Sequence, residues 1–254
     1  LIPAGTEPHD YEPSAKDMAK IMDADAFVYN SPELETWVPT MTDSIDTDKT
    51  VVIEAAKEID LAENEDHGET EAEHGTDAHT HELDPHVWTD PVMAIKEVET
   101  IRDQLSEKFP TKAATFKKNA AAYIEQLNAL DQEYTAALKD AVNRTFVTQH
   151  AAFGYLAKQY DLVQESIAGL SPDQEPTPSR LAELKEYVED HQVKVIYFEE
   201  NASSKVAETL ANETGVELAV LNPLESLTEK QISDGETYLT VMKENLQALQ
   251  KSIK

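Results

Sequence analysis

The strongest pattern in the chain is a stripe. Phe116, Ala120, Tyr123, Leu127, Leu130, Tyr134 and Leu138 recur every three or four positions, and no Gly or Pro interrupts them. That spacing paints one apolar face on a helix. Roughly 28 residues at about 1.5 Å each reach about 42 Å, long for a surface helix and suited to a spine between two bodies. Before the spine, AFVYN and TVVIEA read as short buried parallel strands. Ser14 stands as an N-cap ahead of the helix AKDMAKIMDAD, and the opening LIPAGTEPHDYEP reads as a short strand end followed by a loop. VWTDPVMAIKEVETIRDQLSEKF resumes helical spacing. After the spine the alternation returns: RTFVTQ, VKVIYFE and VELAVL as strands, and AFGYLAKQY, SRLAELKEYVEDH, SSKVAETLANETG and TYLTVMKENLQALQKSI as helices.

Strands alternating with helices predict an α/β fold with largely parallel sheets. The same alternation on both sides of the spine predicts two similar lobes with a cleft between them. The expected divisions are an amino-terminal lobe at 1–110, a linking helix at 111–141 and a carboxyl-terminal lobe at 142–254.

Composition narrows the partners. The net charge of −29 over 254 residues repels phosphate backbones and attracts cations, so nucleic acid is a poor partner. Without cysteine there are no disulfides, thiolate metal sites or cysteine nucleophiles. No apolar run of about 18 residues is present to span a membrane. The chain opens at Leu1 with no signal-like segment, and is expected to be processed or clipped.

One stretch breaks the alternation. A polar tract at about 63–84 is rich in histidine and carboxylate, with His67, His74, His79 and His81 in it and His86 just beyond. Such a tract cannot fold by burial. Those four histidines are expected to act as weak metal collectors; the blander alternative is a solvated loop that tolerates histidine. His86 differs, because the turns of DPHVWTDP flank it and can hold an imidazole still.

Three other positions pair a potential ligand with a loop edge or a strand end: His9 in TEPHDYEPS, His150 after TFVTQ, and Glu225 after VELAVL. In open α/β sheets ligands gather beyond the carboxyl ends of strands. Two of the four positions lie on each side of the spine, so one ligand shared by all would sit in the cleft. Taken singly, each histidine is more often a solvated loop residue, and Glu225 is one of 50 acidic residues. His191, between a helix and a strand, reads as a surface residue.

PAGTEPHDYEPSAKD, DPHVWTDP, TQHAAFGYL and NPLESLT, in that order and with a His/acidic tract before DPH, resemble the metal-binding lipoproteins of bacterial ABC importers. More narrowly, the chain is similar to their zinc-specific AdcA/ZnuA group. The resemblance covers essentially the whole chain. It implies two α/β lobes joined by a rigid long helix, with a metal held in the cleft by His9, His86, His150 and Glu225. It further implies a monomer that delivers Zn²⁺ to an ABC permease and its ATPase, at the outer face of the cell membrane or in the periplasm, and no enzymatic activity. Relatives that take manganese tend to carry a carboxylate where this chain has His150. Nearly all of the strand–helix–strand that normally precedes the PAGxEPH loop is expected to be missing, as are the lipid-bearing cysteine and the extra carboxyl-terminal zinc domain of some relatives.

The donor set can be judged separately. Three imidazoles and a carboxylate suit zinc, manganese prefers more oxygen, and copper competes for imidazole. The rival readings are a manganese or iron carrier on the same scaffold, a three-histidine zinc hydrolase, and an adhesion or structural protein stabilised by metal. A hydrolase needs a metal-bound water, and Glu225 in the fourth position would displace it.

Overall fold

A computed structural model describes residues 1–63, 83–173 and 176–253, and the tract with His67, His74, His79 and His81 lies outside them. The architecture is α/β, with parallel sheets flanked by helices and one long helix among them. The amino-terminal part begins with residues 1–13 as turns and coil. The strand end expected there does not form: Pro3, Pro8 and Pro13 each remove a backbone donor. Helix α1 (Ala15–Asp23) starts at Ser14 in a reciprocal capping box with Asp17. Strands β1 (Ala26–Tyr29) and β2 (Val51–Glu54) pair in parallel around the short helix α2 (Val38–Thr42). Ile21, Phe27, Val38, Met41 and Ile45 form the core beneath them.

A 3₁₀ turn at Val87–Thr89 leads into α3 (Pro91–Lys108), capped by Asp90 with Pro at its first position. The predicted spine is α4 (Ala113–Leu138), 26 residues without a break. Ala120, Leu127, Leu130, Tyr134 and Leu138 of its stripe are buried, and Phe116 and Tyr123 are half-buried. The helix packs on α3 and on α9 (Tyr238–Ser252), and so touches both parts of the chain.

The carboxyl-terminal sheet has the order β4-β3-β5-β6, parallel throughout, from β3 (Thr145–Thr148), β4 (Val163–Ser166), β5 (Val195–Phe198) and β6 (Glu217–Val220). Helices α5 (Gly154–Gln159), α6 (Pro178–Asp190), α7 (Lys205–Thr214) and α8 (Glu229–Asp234) connect the strands and follow them. The two sheets are less alike than expected: among the described residues the first has two strands against four in the second.

Candidate metal centre

Two of the four candidate ligands, His150 and Glu225, come from segments whose paths the carboxyl-terminal sheet dictates. β3, β5 and β6 end side by side, and the chain just beyond them carries His150, Glu199 and Glu225 respectively. Glu225 is aimed by a tight turn. Leu224 holds φ at 61°, in the left-handed region that a leucine rarely occupies. The Asn222 side chain accepts from the Leu224 N–H at 2.8 Å. Buried Asn245 of α9 clamps Asn222 in turn, accepting from its N–H at 2.9 Å and donating to its carbonyl at 2.7 Å. His86 sits on the turn before α3, and His9 on the opening loop.

The structure brings His9, His86, His150 and Glu225 together, with one ligand atom from each lying within 4.8 Å of the others. Glu225 Oε1 is 3.0 Å from His86 Nε2, 3.0 Å from His150 Nε2 and 3.4 Å from His9 Nε2. His9 Nε2 and His86 Nε2 are 3.2 Å apart. Ligands of a tetrahedral zinc at about 2.0–2.2 Å stand about 3.3 Å from one another, so these separations fit a small tetrahedral cation. The His86 and His150 side chains are fully buried, and His9 keeps 11% exposure.

Two carboxylates outside the predicted set orient the buried imidazoles. Asp84 Oδ1 lies 2.7 Å from His86 Nδ1 and also accepts the His86 backbone N–H at 2.9 Å. Glu199 Oε1 lies 2.5 Å from His150 Nδ1. A carboxylate on Nδ1 fixes the proton there and leaves the Nε2 lone pair facing the centre. The Asp84 turn approaches α5 so closely that a Cβ on Gly154 would stand 3.1 Å from Asp84 Oδ2. Tyr155, next on α5, donates its hydroxyl to the Asp84 carbonyl at 2.7 Å and accepts the Ala62 N–H at 2.8 Å. Ala62 and Asp84 are themselves bonded at 2.8 Å, and Glu63 forms an antiparallel bridge with Leu83. Residues 62–63 and 83–84, which flank the 64–82 segment, are therefore pinned together beside Tyr155.

Charge follows this arrangement. Burial alone would lower the His150 pKa, but Glu199 and Glu225 outweigh it and raise the pKa to about 10. His86 is also raised, with Asp84 and Glu225 overcoming burial. Burial disfavours the Glu225 carboxylate, yet the three imidazoles hold its pKa well below the ordinary value. Glu7, which accepts the His9 N–H at 3.1 Å, is raised to about 7 by burial and by the nearby Glu225. His191 lies away from the cluster at the end of α6, stacked on Tyr187 with ring centroids 4.1 Å apart.

Asp84 was accessible to sequence reasoning, since it is the Asp of the DPH turn. Glu199 carried no signal beyond a strand end in an acid-rich chain.

The family described as "Zinc-uptake complex component A periplasmic" matches residues 1–252. The chain is similar to the zinc-binding lipoprotein AdcA of Streptococcus pneumoniae serotype 4, 55% identical over 252 residues, which is 99% of this chain and 50% of that protein. It thus spans about half the length of that curated relative. It is also similar to the high-affinity zinc uptake system protein ZnuA of Bacillus subtilis, 50% identical over 253 residues, which is 100% of this chain and 79% of that protein. Among solved structures, the Zn(II)-bound ZnuA-like domain of Streptococcus pneumoniae AdcA superposes with a TM-score of 0.83 at 52% identity, covering 100% of this chain and 89% of that one.

Proposed function

The chain belongs to the family of zinc-uptake component A proteins, and from that premise we propose that it captures one Zn²⁺ at the His9–His86–His150–Glu225 cluster and delivers it to an ABC permease. The observation that carries this reading is the convergence of three imidazole Nε2 atoms and one carboxylate oxygen within 4.8 Å, with carboxylates on the Nδ1 atoms of His86 and His150. This donor set favours zinc over manganese, which prefers more oxygen. Glu225, in reach of all three imidazoles, takes the place a hydrolase leaves open for water, so the chain is a carrier and not an enzyme.

The reading extends to the whole molecule. Residues 1–110 and 142–254 act as the two bodies and 111–141 as the link between them. The chain works as a monomer outside the cytoplasm, held at the membrane by a lipid anchor elsewhere in the protein. No helix among the described residues is long and apolar enough to cross a membrane.

The test is His150→Ala, with zinc affinity measured by chelator competition. Removing one of three nitrogen donors should lower affinity by orders of magnitude, while His191→Ala should match the parent. Equal affinity for His150→Ala and the parent would refute the assignment.

A further inference from the structure

The turn that carries His86 is bonded to the turn that carries Glu225. Trp88, two residues after His86, donates its indole Nε1–H to the carbonyl of Pro223, two residues before Glu225, at 2.7 Å. Tyr238, at the start of α9, donates its hydroxyl to the Trp88 carbonyl at 2.8 Å. The Trp88 ring centroid lies 5.3 Å from that of His86. Thr89 Oγ1 lies 2.9 Å from the His86 carbonyl oxygen and 3.0 Å from that of Ala152, fastening the same turn to the loop after His150. Both ends of Trp88, side chain and carbonyl, are thus held by the carboxyl-terminal part.

We propose that Trp88 is a positioning residue for the metal centre. Its indole N–H ties the His86 turn to the Glu225 turn, so that His86 Nε2 and Glu225 Oε1 stand 3.0 Å apart before a cation arrives. The inference rests on the zinc-capture reading of this cluster. The chemistry suits the role. An indole N–H only donates, and Pro223 is buried, so losing the bond leaves a buried carbonyl without this donor. The Trp88–Pro223 bond spans 135 residues of sequence, so local chain connectivity does not hold these two turns in register. Bonds that orient metal ligands from outside the coordination sphere typically change affinity by about 10–100-fold.

The experiment uses Trp88→Phe, which keeps an aromatic ring and removes the N–H, and Tyr238→Phe, which removes the bond to the Trp88 carbonyl. Zinc affinity is measured by chelator competition, the visible spectrum of the Co²⁺-loaded protein reports coordination geometry, and thermal melting of the metal-free protein reports packing. Trp88→Phe should bind zinc roughly tenfold more weakly. Its Co²⁺ bands should lose intensity as tetrahedral geometry relaxes, and its melting temperature should fall by only several degrees, as one buried carbonyl loses its donor. Tyr238→Phe should move the same way by less. Parental affinity and Co²⁺ spectrum in Trp88→Phe, whatever its melting temperature, would overturn the proposal. Should Trp88→Phe fold too poorly to titrate, Tyr238→Phe decides: weakened binding supports the brace and parental binding overturns it. A parent protein that itself takes no zinc would overturn both the brace and the capture reading, whereas a zinc-binding parent matched by its variants overturns the brace alone.

Discussion

At the scale of the residue, the proposed zinc capture sets zinc against protons. Zinc takes neutral imidazole, and free imidazole has a pKa near 6.5. In the metal-free protein both His86 and His150 hold their protons more tightly than free imidazole, because carboxylates face them. A raised pKa extends protonation to higher pH, so zinc affinity should fall as pH falls and should still be rising as pH increases through neutrality. Competition titrations between about pH 5.5 and about pH 8.5 check this; an affinity that levels off by about pH 7 would contradict it. The same residues show what sequence can reveal. His86 and His150 stood out because a rigid turn and a strand end mark them, and Glu225 gained weight only through motif order. Glu199 stayed hidden among 50 acidic residues, since only the fold places it against His150.

At the scale of the element, α3 starts on a carboxylate in the wrong environment. Asp90 is fully buried, and one oxygen accepts the Val92 N–H at 2.8 Å while Oδ2 has no partner among the described residues. Burial, and then Asp131, raise its pKa from 3.8 to about 6. With the folded-state pKa raised, the folded state binds the proton more tightly, so this group's cost is present above about pH 6 and disappears as pH falls towards the unfolded value. Asn caps helices as well as Asp and carries no charge. Asp90→Asn should therefore stabilise the metal-free protein by about 1–2 kcal/mol near pH 7.5, discounting the full two-unit shift, and by almost nothing near pH 4. Urea unfolding at the two pH values reads this directly. Among the elements, α4 was legible from its period and the apolar strands from short β-branched runs, although β1 and β2 are less buried than expected, with Val28 42% exposed. β4 was not, because its pattern is inverted: Val163 is 51% exposed while buried Glu165 pairs with Arg180. Helices α2 and α8 are too short for a period to show, and proline overruled the expected strand in residues 1–13.

At the scale of the whole molecule, a net charge of −29 surrounds the proposed cation site. Such a field raises the local cation concentration and the rate of encounter, and salt screens it. The 64–82 segment contributes part of that charge, with four of the eight histidines, and the residues that flank it, 62–63 and 83–84, are bonded to each other. Replacing it with a short neutral linker should leave the cleft affinity intact and remove weak additional zinc equivalents from a titration. It should also slow zinc uptake at low salt and flatten the salt dependence, as read by stopped-flow mixing. Loss of tight binding with the segment would place the principal site within it.

The pinned flanks have a consequence for design. The Glu63–Leu83 bridge, the Ala62–Asp84 bond and the Tyr155 hydroxyl together make a closed base, so the core need not register what is spliced in above it. Length and composition can be changed there while Asp84 and His86 stay in place. A fluorescent domain with closely spaced termini, grafted between residues 63 and 83, would join the chain three residues ahead of His86, where it would serve as a genetically encoded reporter of the proposed zinc capture.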